Sequence, residues 1–139
     1  MSNTQQIKSD SREKTLRFLY QCDIEKLYHY SDAHFKKYCE DFDLNFSEID
    51  LSRGFISGIF ENFSEINEKI SQYSKNWSID RLGIIDRSIL RLSTYELKYT
   101  DTPRKVIINE AVNLGKKYGT NESSGFINAI LDKISKEEQ

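Results

Sequence analysis

From Trp77 to Leu97 the side chains of Ile79, Leu82, Ile85, Ile89, Leu90, Leu92 and Leu97 fill one broad arc of a helical wheel, with almost no strand-like alternation. The spacing predicts a central core helix, with Ser78 as its N-cap and Asp80 near the positive end of the dipole. Two acids, Asp86 and Glu96, fall inside the apolar arc. An unpaired carboxylate is costly there, so each needs a protein partner, a place at a packing edge, or another molecule to face.

The same periodicity predicts the other elements. Residues 1–9 are polar and read as a flexible tail, after which Asp10 and Glu13 form a capping pair for a helix with Leu16, Leu19, Tyr20 and Leu27 on one face. Phe18 and Cys22 point elsewhere, so this helix has more than one contacted side, and Asp23 is again an acid within the arc. A shorter helix starts near Ser31 and Asp32 and turns Phe35, Tyr38, Cys39 and Phe42 inward. Ser47 or Asp50 caps a third run, from Leu51 to Tyr73, whose length predicts an interruption near Asn62 to Ser64. Within it, Gly54 and Gly58 suggest a close helix approach.

Asp101-Thr102-Pro103 is a start signal for a helix to Tyr118 that buries Ile107, Ile108, Ala111 and Leu114, and Gly119 is placed to end it. A last helix from Asn121 or Glu122 buries Phe126, Ile127, Ile130, Leu131 and Ile134. No repeat or linker divides the series. The fold class is all-α, a single helical domain over residues 10–136 of about six or seven helices.

Composition narrows the chemistry. One Pro and six Gly suit long helices, and no apolar run is long enough to span a membrane or resembles a signal peptide, so the expected location is cytoplasmic. Cys22 and Cys39 have no metal-like spacing and read as idle thiols, with a bridge as the alternative. His29 and His34, five apart, share no helical face. No Gly-rich phosphate loop, nucleophile elbow or zinc-protease motif occurs, so neither enzymatic chemistry nor a cofactor or metal is expected. Binding remains. The net charge of −2 is unlike a generic nucleic-acid binder, so RNA contacts need a local patch or a shared one. Lys8, Arg12, Lys14 and Arg17 make one basic group and Lys105, Lys116 and Lys117 another, which would form a phosphate-neutralising groove if they meet. The bland alternative is a solvated surface.

The strings SREKTLRFLYQCDI, RLGIIDRSILRLSTYELKYTDTPRKVIINEAVNLGKKYG and ESSGFINAILDKI resemble, in order and spacing, the NusB transcription antitermination factor family. The resemblance implies two small subbundles, three helices then four. It also implies binding of the boxA element of nascent ribosomal RNA transcripts as a heterodimer with NusE, a small-subunit ribosomal protein, within the antitermination complex of RNA polymerase. The family's basic N-terminal motif falls on Lys8, Arg12 and Lys14, where this sequence has one Arg among Ser, Asp and Glu. Its second RNA side falls on Lys116 and on the turn with Glu122, Ser123 and Phe126, and its NusE-facing surface on Tyr20 and Asp86. Arg87 and Arg91 are expected to be structural, and internal pairing of Asp86 with a neighbouring Arg is the alternative to a docking role. Two other readings are a self-associating structural protein, whose homodimer hides the RNA face, and the accessory RNA-binding module of an RNA methyltransferase.

Overall fold

A computed structural model describes residues 3–75 and 78–138. Among them are seven α-helices, one short helical turn and no strand. Two compact units divide the chain, Met1–Glu61 and Asn62–Gln139. The first holds three helices and the second four, the division that the family resemblance implies.

In the first unit, α1 (Asn3–Glu25) packs along α3 (Phe46–Glu61), with α2 (Asp32–Asp41) between them in sequence. Helix α1 begins at Asn3, well before the expected start near Asp10. Asp10 is an interior residue whose carboxylate accepts from the Gln6 amide at 2.9 Å, one of the i,i+4 pairs that hold a polar helical turn. Phe18, Cys22, Phe35, Tyr38, Cys39, Leu44 and Ile56 form one buried cluster. Phe18 is its hub: its ring meets Phe35 edge-on at 5.6 Å and Tyr38 at 5.0 Å, separations at which aromatic pairs gain beyond their buried area. Tyr38 also donates to the Lys14 carbonyl at 2.8 Å, tying α2 to α1, and Ser52 donates to the Ser11 carbonyl at 3.2 Å, tying α3 to α1.

The caps explain the boundaries. Ser31 caps α2 as expected, accepting from the His34 N–H. Helix α3 is capped by neither Ser47 nor Asp50. Its cap is a reciprocal box in which the Asn45 side chain accepts from the Glu48 N–H at 2.9 Å and the Glu48 carboxylate from the Asn45 N–H at 3.1 Å. Helices α1 and α2 end alike: Lys26 and Asp43 take left-handed conformations, and the next N–H reaches back to the Cys22 and Cys39 carbonyls. Gly54 makes no close approach, since a Cβ there would meet nothing.

The second unit comprises α4 (Phe63–Tyr73), the short turn Ile79–Arg81, α5 (Ile84–Tyr99), α6 (Arg104–Tyr118) and α7 (Ser123–Glu137). The expected interruption is there, at Asn62. Trp77 lies outside the described residues. The central helix differs from expectation at its start: Ser78 makes no side-chain cap, Leu82 is extended, and α5 begins only after Gly83. Ile89, Leu90 and Leu92 are buried in the unit where α5 packs against α4, α6 and α7. Pro103 precedes α6, its carbonyl receiving the Val106 and Ile107 N–H groups.

Far from the turn between α6 and α7, a polar lattice joins α4, α5 and α7. Lys98 pairs with Glu65 at 3.2 Å and Glu138 at 2.8 Å, Lys69 with Glu137 at 2.7 Å, and the Tyr73 and Tyr99 hydroxyls donate to Glu137 and Glu65. Hydrogen bonds from Tyr99 and Lys98 hold the Glu65 carboxyl below its ordinary range, as those from Lys69 and Tyr73 do for Glu137. Their contribution is therefore present at neutral pH and lost as acid protonates them.

Phe18→Ala should cost about 3–5 kcal/mol of unfolding free energy, because it empties the hub of the first unit. Phe46→Ala, at a side chain 85% exposed, should change it by less than about 0.5 kcal/mol. Urea denaturation of the two variants measures both.

Candidate RNA and partner surfaces

In the second unit, α6 ends and α7 begins across a four-residue turn, 119–122, built on close contact. Gly119 is extended, and glycine is required there by space: a Cβ would lie 2.3 Å from the Ser123 hydroxyl oxygen and 2.8 Å from the Gly115 carbonyl. At Gly115 the corresponding atom would sit 3.0 Å from Ile127, so this glycine lets α6 and α7 approach. Ser123 is 1% exposed, and its hydroxyl accepts from the Thr120 N–H at 2.9 Å. The Glu122 N–H reaches the Thr120 hydroxyl at 3.4 Å, and the Ser123 N–H the Thr120 carbonyl at 3.1 Å. Ser123 thus locks the turn and is withdrawn from solvent.

Around that frame Lys116, Lys117, Thr120, Asn121 and Glu122 are exposed, and Phe126 is half-buried. The N–H groups of Ser124 and Gly125 have no acceptor among the described residues, and a Cβ on Gly125 would meet open space. Free donors at a helix start carry the positive end of its dipole. An anionic ligand with planar apolar parts finds donors, cations and an aromatic ring on this one turn. Glu122 is the opposing charge, and it favours ligands whose own donors can meet a carboxylate.

In the first unit, Lys8 is exposed, Lys14 is half-buried, and Arg17 has Glu13 at 3.9 Å. Arg12 is 3% exposed and engaged within the protein. Its guanidinium is therefore not displayed as a free phosphate contact, which corrects the expectation that it leads the basic motif. A lone Arg among Ser, Asp and Glu carries no sequence signal of burial. Further along α1, Tyr20 is 38% exposed and Ile24 55%, with Leu27 just past the helix end. Tyr20 and Ile24, four apart on α1, make an exposed apolar stripe, which Leu27 follows past the left-handed Lys26. Sequence reading singled out Tyr20 and missed Ile24, which the spacing of four would have found.

The acids separate cleanly. Asp23, 3% exposed, accepts from the Tyr28 hydroxyl at 2.7 Å. Glu96, 2% exposed, is also engaged internally. Asp86 is not: half-buried in the first turn of α5, its carboxylate has no partner among the described residues. Its neighbouring arginines are committed elsewhere. Arg87 donates to the Asp80 and Leu82 carbonyls at 3.3 and 3.0 Å, while Arg91 donates to Asn67 at 2.8 Å and lies 4.7 Å over the Phe63 ring. Both are structural, as expected, and the internal ion pair is absent.

Other candidate chemistry is quiet. Cys22 and Cys39 are free and buried; burial pushes the Cys22 thiol up to about 12 and raises Cys39 as well, so neither is a nucleophile at neutral pH. Among the described residues no group of His, Cys, Asp and Glu could hold a metal, and no helix is long and apolar enough to cross a membrane.

The NusB family model matches residues 9–136. The chain belongs to the NusB family. It is 39% identical over 126 residues to the transcription antitermination protein NusB of Anaeromyxobacter dehalogenans strain 2CP-1, covering 90% of this chain and 87% of the relative. The solved NusB of T. maritima superposes with a TM-score of 0.83 at 37% identity, over 94% of this chain and 91% of that one. A second NusB structure, determined with NusE and double-stranded RNA, gives a TM-score of 0.83 at 25% identity, over 95% and 98% of the two chains.

Gly119→Ala should destabilise the protein by about 1–3 kcal/mol, since backbone and the Ser123 hydroxyl must both move. Asp86→Asn should change stability by less than about 1 kcal/mol, the worth of a carboxylate at a helix start. Thermal or urea unfolding reads both, and a larger loss at Asp86 would indicate an internal partner.

Proposed function

We propose that this chain is a non-enzymatic, cytoplasmic transcription antitermination factor that binds the boxA element of nascent ribosomal RNA as a heterodimer with NusE, within the antitermination assembly of RNA polymerase. The observation that carries the reading is the unpartnered Asp86 carboxylate, together with the exposed stripe of Tyr20 and Ile24, in a chain that satisfies its other inward-placed acids internally. A carboxylate left open at a helix start suits an Arg or Lys of a partner, and an exposed Tyr and Ile suit the apolar centre of an interface. Family membership supplies the identity of that partner, and relatives carry the name of antitermination proteins.

RNA is held, in this reading, by Lys8 and Lys14 on α1 and by Lys116, Glu122 and Phe126 at the α6–α7 turn. The lysines neutralise phosphates, the free N–H groups of α7 take a phosphate oxygen, and Phe126 stacks on an unpaired base. Glu122 accepts from an exocyclic amine, which makes it a reader of bases and not of the backbone. Arg12 and Ser123 act from inside, Arg12 by holding α1 and Ser123 by closing the turn. With a net charge of −2 the chain alone is a weak phosphate binder, and NusE supplies part of the RNA affinity.

Binding of a boxA RNA measured across salt, with and without NusE, tests this. Affinity should rise when NusE is present, fall with a slope of about −0.7 per phosphate contacted, and drop for a scrambled RNA. Equal affinity for boxA and scrambled RNA in the presence of NusE would refute sequence reading. Lys116→Ala should reduce the slope by about one phosphate. Phe126→Ala should weaken boxA binding by about 10-fold, the worth of one stacked base.

A further inference from the structure

The acidic middle of the chain is not used by this function. Between residues 32 and 50 lie six acids and two lysines, so the segment repels a phosphate backbone. It nevertheless contains a groove of about 790 Å³ between α2 and the start of α3. The floor is apolar, made by Phe35, Cys39, Leu44 and Ile49.

Two features extend this groove beyond a small-molecule cavity. Phe46, Ile49 and Arg53 are spaced three and four apart on α3, so the 85% exposed Phe46 ring continues the apolar floor past its end. Phe42, 48% exposed, lies at the connection between the helices with one face against Tyr38 at 4.8 Å. Scattered exposed apolar residues are ordinary, but here two exposed aromatics, Phe42 and Phe46, flank Leu44 of the groove floor on the connection between α2 and α3.

The charge of the rim selects the occupant. The carboxylates of Glu40 and Asp43 have no partner among the described residues, and Asp32 stands on the same side. Of the two rim cations, Lys36 is exposed and Arg53 is laid 5.7 Å over the Phe35 ring, so acids outnumber cations on the rim by three to two. We propose that the α2–α3 groove docks a basic amphipathic helix of a protein partner, its apolar stripe on Phe46 and the groove floor and its flanking Lys or Arg on Glu40 and Asp43. This is a second interaction surface, separate in residues from those assigned to RNA and to NusE. It gives the chain a protein contact that persists while RNA is bound.

A synthetic four-turn helical peptide with Leu along one stripe and Lys elsewhere is the probe, titrated into the full chain and followed by amide NMR. The expected result is binding with shifts concentrated in residues 32–53, weakened about 10-fold by Phe46→Ala and by Glu40→Lys with Asp43→Lys. The same peptide with Glu for Lys should bind at least about 10-fold more weakly. Because Phe46 is exposed, its variant should fold normally and retain boxA and NusE binding, so the outcome is independent of the function proposed above. Shifts elsewhere, charge-independent binding or no binding would overturn the proposal. Concentration-dependent self-association lost in Phe46→Ala would assign the groove to a second copy of the chain, and single-stranded RNA shifting the same amides would assign it to nucleic acid; either would overturn it.

Discussion

The carboxylate of Asp86 is the group on which the functional reading depends. A folded chain has strong reasons to satisfy an acid near its core, and this one does so for Asp23 with a tyrosine hydroxyl and internally for Glu96. At the start of α5 it does not, although two arginines follow within six residues. Arg87 is occupied by carbonyls of the preceding turn and Arg91 by Asn67 and an aromatic face. The break at Leu82–Gly83 contributes to this, since it leaves carbonyls that draw Arg87 away from its neighbour. A local irregularity in the central element thereby leaves a charge open for another molecule.

The same economy governs the turn proposed to hold RNA. The turn between α6 and α7 holds its shape through Ser123 and Gly119, which are internal, and offers lysines, free N–H groups and Phe126, which are not. Rigid internal residues fix the geometry that exposed ones use. In α1 the division is similar: Arg12 is drawn inward while Lys8 remains outside. A chain whose net charge is −2 has little overall attraction for a phosphate backbone, so in the proposed function part of the RNA affinity comes from the partner. The groove of α2 and α3 belongs to a different class of contact, with an apolar floor and a rim on which acids outnumber cations.

Helical content and most of the inward positions were legible in the sequence, because apolar spacing of three and four survives into the packed fold for Leu16, Ile89, Ile107 and Ile130. So were boundaries set by local chemistry, such as Ser31 and Gly119, and the interruption at Asn62, which followed from the length of the run. Boundaries failed where two local signals competed. Ser47 and Asp50 masked the Asn45–Glu48 box, and the unbroken apolar periodicity from Ile79 onward hid the extended Leu82. Residues from Asn3 to Ser9 carry no strong apolar stripe, so their helix could not be read from periodicity. In the candidate sites, residue types pointed to a turn and a helix but did not encode burial. Whether Arg12 or Ser123 faces solvent is decided by packing across the fold, which spacing does not encode.

Titrating unlabelled NusE into the isotope-labelled chain, with its amides followed by NMR, shows whether Asp86 and the Tyr20 stripe meet the partner. The prediction is that signals of Tyr20 to Leu27 and of the first turn of α5 around Asp86 both shift and saturate at the same NusE concentration. If either set stays unmoved while NusE binds, the open carboxylate or the bare stripe is not the docking surface, and the central claim is wrong.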